Sequence, residues 1–310
     1  MTKYEKNKKV IEKLLKTKFQ KALLEAVIDN LSDDSKALCF NNFAYSMREL
    51  MIDFLKSLAP DDEIIKCDWY NAKDAYIKNK VSDKTEPSRK QRIKYIVQGP
   101  LTDNFVDINI IPLSDIEDIQ TEFLSSFSLL NKYTHITDKT LGLKDKDREN
   151  KAQEIFQTFI NLVWLLNKYK TKLFNDTEKI ITDEVYETVI YEAINEINCL
   201  STYQYLENVN VDKISIQKIE KDQITTHING TIDVNLQYGS SGDLRRGDGW
   251  VNEENFPFTC TAYVHLGISD FSDIIIENVE IDTDDFYGIS EISDEELERM
   301  IDKELDSSES

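Results

Sequence analysis

The feature that most constrains this chain is a single change in its hydrophobic period. Up to Tyr205 the apolar residues recur at steps of three and four, and from Val211 they recur at every second position. The first spacing puts them on one side of a helix and the second on one face of a strand. A chain of 310 residues has room for two such domains. The expected fold class is therefore α+β: an N-terminal α-helical bundle followed by a C-terminal antiparallel β-sheet domain and an acidic tail. The expected divisions are a basic N-terminal helix at 1–35, the bundle at 36–205, the β domain at 206–288 and the tail at 289–310.

The bundle is organised around Leu38–Leu58. Phe43, Met47, Leu50, Met51, Phe54, Leu55 and Leu58 form one apolar stripe of a long amphipathic helix. A second stripe carries Asn41, Tyr45 and Arg48 at i, i+4 and i+7. These are either ordinary surface polar groups or one wall of a site that presents an amide, a phenol and a guanidinium. Residues 5–31 read as an earlier helix with lysines opposite its apolar stripe. Such a helix can lie on a membrane or on nucleic acid; docking on its own domain is the simpler reading. Asn30–Ser35 is the break, and Pro60 ends the next helix.

Residues 60–87 are expected to be irregular, with Trp69 and Tyr70 as anchors. Ser88 then opens a helix, Gln91 completes a capping box, and Gly99–Pro100 stops it. Arg89, Arg92 and Lys94 are either its solvated face or an anion site. Residues 101–112 read as a crossing loop or short extended piece. From Leu113 a helix is expected to run to about Ile136, capped by Ser114 with Glu117. Ser128, Asn131 and His135 align along it. A histidine at a helix C-terminus usually has a structural role, because the terminal carbonyls favour its charge. Two further helices are expected, Lys146–Lys170 and Thr182 to about Tyr205.

Beyond Val211 the alternation predicts about five antiparallel strands, with glycines 230, 239, 242, 247 and 249 at the turns. The loop GSSGDLRRGDG (239–249) reads as irregular and offers Asp243, Arg245, Arg246 and Asp248 beside Trp250. It is either a long hairpin loop or a partner- or ligand-binding loop. Residues 270–310 carry 16 acidic and two basic residues, a composition that resists folding by itself.

The net charge of −21 is unevenly spread: residues 1–100 carry +5 and the remainder −26. An acidic total argues against non-specific duplex binding, which depends on neutralising phosphates. A local basic site in the first third is compatible with it. No apolar run is long enough for a membrane span, and the N-terminus lacks the apolar core of a secretory signal. Cys39, Cys67, Cys199 and Cys260 are far apart with no CxxC spacing, so neither a zinc site nor another metal or cofactor is expected. A reducing cytoplasm is the expected compartment.

Two groups of segments carry a resemblance. One is NNFAYSMRELM, then RKQRIKY, then LNKYTHI; the other is TIDVNLQYGSSGDLRRGDG running into FPFTCTAYV. Together, over roughly residues 36–285, they resemble the bacterial family of predicted pPIWI-associating nucleases, found in conflict and anti-phage gene neighbourhoods. The helical half also resembles HEPN domains, in which an arginine-bearing early helix precedes one ending in Arg-x4-6-His. HEPN domains typically dimerise and cut RNA at the shared interface. The resemblance implies His135 as acid and base, Arg48 and Arg92 as phosphate binders, and Asn131 and Tyr45 as orienting groups. It also implies RNA or a nucleotide, a protein from the same defence operon and a second copy of the chain as partners. One departure matters: the positions where the motif arginine belongs hold Ser128, Leu129 and Leu130. The residues therefore support two readings, a metal-independent RNA nuclease and a non-catalytic adaptor or sensor.

Overall fold

The computed structural model describes residues 4–32, 36–79 and 84–287; the expected acidic tail at 289–310 lies outside them. One compact unit takes the chain up to Asn175 together with Ile219–Asp222 and Leu266–Phe271. The second takes Asp176–Lys218, Gln223–His265 and the chain from Ser272.

The first unit begins with α1 (Glu5–Glu12) and α2 (Lys18–Ser32), where one helix over 5–31 was expected. The break has a local cause. Gln20 accepts from the backbone N–H of Lys16 and Thr17, and Thr17 Oγ1 accepts from Gln20 N. That is a capping box, and Thr17-x-x-Gln20 announces it in the sequence. The Gln20 amide then donates to Asp53 and Ser57 of α3 (Cys39–Leu58), fixing the offset of α2 against α3.

α3 is the core helix that its periodicity predicts. Phe43, Met47, Leu50, Met51 and Phe54 are completely buried. α4 (Asp61–Ile65) follows Pro60, and β1 (Tyr76–Asn79) pairs with β2 (Lys84–Glu86) inside the stretch expected to be irregular. α5 (Arg89–Gln98) has the expected Ser88–Gln91 capping box and stops at Gly99, whose φ is 61°. Residues 101–112 are corrected from a loop: Thr102 caps α6 (Asp103–Asn109) through the N–H of Phe105. α7 (Leu113–Thr134) starts one residue before the expected cap. Pro112 precedes it and Asp107 accepts from the N–H of Leu113, so Ser114 is already inside the helix.

α8 (Asp145–Ile197) is one helix of 53 residues where two were expected. No glycine or proline occurs between Gly142 and Gly230, so nothing in the backbone chemistry stops it. Its first half gives Ile155, Phe156 and Phe159 to the helical core. There Phe159 meets Phe54 and Phe123 at ring separations of 5.5 and 5.4 Å, near the optimum for aromatic pairs.

The second unit contains the rest of α8 and a four-stranded antiparallel sheet in sequence order. Its strands are β3 (Tyr203–Ile219), β4 (Gln223–Tyr238), β5 (Trp250–Leu266) and β6 (Phe271–Ile281). Ile181, Val185, Val189, Ala193 and Ile197 form the buried stripe of the helix. β4 and β5 pair without interruption from Gln223↔His265 to Tyr238↔Trp250. Four strands replace the expected five because Gly230 lies inside β4 and makes no turn. Gly230 is paired with Phe258, and a Cβ there would collide with the Phe258 ring and with the carbonyl of Asn210. The loop over 239–249 is also corrected: it contains α9 (Ser241–Arg246). Ser240 and Asp243 close a capping box, and Gly247 ends the turn at φ 81°, a region that favours glycine.

Candidate functional site

Two places on the helical unit gather the chemistry the sequence suggests, and they lie at opposite ends of α3. At its N-terminal end Asn41 is buried. Its Nδ2 donates to the carbonyl of Tyr133 at 2.8 Å and to that of Thr140 at 3.3 Å. The ring of Tyr133 stands edge-on to Phe40 at 4.9 Å. Thr140 Oγ1 donates in turn to the carbonyl of His135 at 2.8 Å and accepts from the N–H of Thr137. The turn after α7 is thus pinned from both sides, while the His135 side chain stands in solvent. Asn41 therefore belongs to the structure, whereas its stripe-mates Tyr45, 60 % exposed, and Arg48, half-buried, reach toward the surface. Asn131 is half-buried on the last turn of α7.

Arg48 sits seven residues beyond Asn41, about 10 Å along the helix axis, and its Nη1 pairs with Glu49 at 2.8 Å. Arg148 was not foreseen in the sequence. It is buried at the start of α8, where it donates to Cys39 Sγ at 3.2 Å and pairs with Asp145. The i,i+3 spacing from Asp145 is visible in the sequence, but the contact with Cys39, 109 residues away, is not.

Arg92 is not part of this end. Its Nη1 donates to the carbonyl of Ala59, just past the C-terminus of α3, at 2.7 Å, and its Nη2 pairs with Asp61 at 2.5 Å. Asn41 and Ala59 are eighteen residues apart, about 27 Å at the α-helical rise. One phosphate cannot touch both Arg92 and His135, so the five residues do not converge on one site.

Arg92 instead helps to wall a cleft of about 890 Å³ between the C-terminal half of α3, α5 and the N-terminal half of α7. Five cationic and four anionic side chains line it. Several are already engaged. Lys94 pairs with Asp103 at 2.7 Å and lies over the Trp69 ring, and Arg89 stacks on Phe127 at 4.1 Å. Lys56 and Lys90 are exposed, and their ammonium groups have no ion-pair partner among the described residues. Ile52, Leu55, Ile116 and Leu124 supply apolar lining.

In the second unit, the four charged residues of the 239–249 loop mostly answer one another. Arg246 pairs with Asp243 and, at 3.5 Å, with Asp248. Arg245 Nε donates to the carbonyl of Ser241. The Ser240 hydroxyl and N–H hold the Asp243 carboxyl below the usual carboxylate range. Ser240-x-x-Asp243 is a capping-box pattern present in the sequence, and it takes one of these charges as a cap.

Residues 12–159 match a family model described as predicted pPIWI-associating nuclease, and residues 166–287 match a second model of the same description. No curated protein and no solved structure matches the chain. Among the described residues, no helix is long and apolar enough to cross a membrane. The two matches run in order through both units, and on that ground the chain belongs to the family of predicted pPIWI-associating nucleases.

Proposed function

We propose that this protein is a metal-independent RNA nuclease of a bacterial anti-phage or conflict system, with its centre at the N-terminal end of α3. The observation that carries this reading is the pinned turn at His135. Asn41 and Thr140 fix the backbone on either side of an imidazole that remains open to solvent. A proton-transfer group needs that combination of fixed position and access. In this reading His135 takes the proton of a ribose 2′-hydroxyl. The freed oxygen attacks the adjacent phosphorus to give a 2′,3′-cyclic phosphate, the departing 5′-oxygen takes a proton from water, and His135 returns its own proton to the resulting hydroxide. Asn131 and Tyr45 orient the strand. Arg48, two turns along the helix, holds a neighbouring phosphate of the same strand. Arg92 has no part in the step.

The family description supports a PIWI-like protein as partner. A HEPN-like second copy and a cytoplasmic setting belong to the same proposal. The test is cleavage of a labelled RNA with chelator present and the partner supplied. His135→Ala should reduce the rate at least about a hundredfold, the lower range for loss of a general acid or base. Equal activity in wild type and variant would overturn the assignment.

A second reading, a non-catalytic adaptor, is favoured by one observation: the cation nearest to His135 along α3 is already paired with Glu49. On that reading RNA stays intact in every variant, and partner binding alone changes with Tyr45 and Arg48.

A further inference from the structure

The cleft at the other end of α3 calls for its own explanation, independent of the RNA reading. We propose that it is a binding site for a phosphorylated nucleoside, a mononucleotide or a ligand of that size. Three properties of the lining lead there together. Lys56 from α3 and Lys90 from α5 bring exposed ammonium groups with no ion-pair partner among the described residues to one cavity. Asp74, positioned by the Asn71 amide that donates to its Oδ2, brings a carboxylate suited to ribose hydroxyls or an exocyclic amine. Ile52 and Leu124 bring apolar surface for a ring. A phosphate on a flat heterocycle with hydroxyl and amine donors uses all three.

A cavity of about 890 Å³ lies within the range of small-molecule sites. The near balance of five cationic and four anionic side chains also disfavours a long polyanion, for which an uninterrupted positive track is needed. Arg92, Lys94 and Gln91 are held by Asp61, Asp103 and Asn71 respectively. The cleft is therefore stiff before any ligand arrives, which lowers the ordering cost of binding.

The experiment uses the full chain, calorimetry and thermal shift, with AMP, UMP, adenosine and inorganic phosphate as probes. A nucleotide should bind saturably and raise the melting temperature. Adenosine and inorganic phosphate should each bind at least about tenfold more weakly, since each lacks one half of the recognition. Lys56→Glu and Lys90→Glu should each weaken nucleotide binding at least about tenfold. Both residues are exposed, so the unliganded melting temperature reports whether the fold is intact. His135→Ala should leave nucleotide binding unchanged, which separates this proposal from the nuclease reading. The proposal is overturned by the absence of saturable nucleotide binding at millimolar concentration. It is equally overturned by phosphate binding as tightly as the nucleotide, by lysine variants that bind as wild type does, or by a cleft that takes only oligonucleotide or acidic peptide.

Discussion

The helical unit buries directional polar groups, and the sheet unit almost dispenses with them. Gln20, Asn41 and Arg92 are each buried among helices, and each donates to a segment distant in the chain. In the sheet the interior is mainly Ile, Val, Leu and Phe with Cys260 and Ala262, its buried polar side chains among the described residues are Thr226 and Gln237, and the charges of its longest connection cancel on the surface. The contrast has a physical source. Two packed helices can slide along one another with little change in apolar contact, so a buried amide or guanidinium is one way to fix the offset. Strands receive their offset from the backbone ladder and from the alternation of faces. The helical unit therefore needs specific polar side chains where the sheet needs almost none.

That contrast can be broken at several points. The largest effect is expected from Phe54→Ala, which empties a fully buried site touching Phe159 and should cost about 3–5 kcal/mol in denaturant unfolding. Arg48→Ala should cost far less, and the reverse order would make the polar stripe a structural network. Gly230→Ala should cost roughly 1–3 kcal/mol by overpacking against Phe258. A neutral result would show that the sheet yields around a Cβ at this position. The smallest effect is expected from Arg246→Ala on the exposed loop, under about 0.5 kcal/mol. A larger loss than at Gly230 would reverse the comparison.

The two units can also be compared through one thiol each. Burial pushes Cys67 in the helical unit and Cys260 in the sheet up to about 11. A raised folded value means that the associated stability is complete below the ordinary thiol range near 9 and is lost as pH rises toward 11. At pH 8 a thiol reagent should therefore modify exposed Cys199 rapidly and reach buried Cys39, Cys67 and Cys260 only through unfolding. Rapid labelling of Cys67 with Cys260 protected would show that the helical unit opens locally.

The architecture was legible because periodicity reports which face is buried, and burial dominates element choice. α3 and α5 are where their stripes and caps put them. Three misses share a cause: a local signal was outvoted by a neighbouring one. Thr17-x-x-Gln20 was hidden inside a continuous apolar stripe. Thr102 was hidden by the flanking Pro100 and Pro112. Gly230 read as a turn because glycine marks turns more often than close packing. The candidate residues were legible singly, but their grouping was not. Tyr45, Arg48, Arg92 and His135 are visible as polar interruptions, yet only the hydrogen bonds of Asn41 and Arg92 show that His135 and Arg92 lie beside opposite ends of α3.

The pairing of Gly230 with Phe258 bears on how the β4–β5 hairpin selects its alignment while folding. A slip of one residue turns every apolar side chain to the wrong face and is rejected by solvent. A slip of two preserves the alternation and is the more dangerous error. It would set Phe258 opposite Ile228 or Ile232, whose branched side chains fill the space the ring requires. The hairpin thus carries a single notch along sixteen matched pairs, and only one alignment of the two strands brings the ring to it.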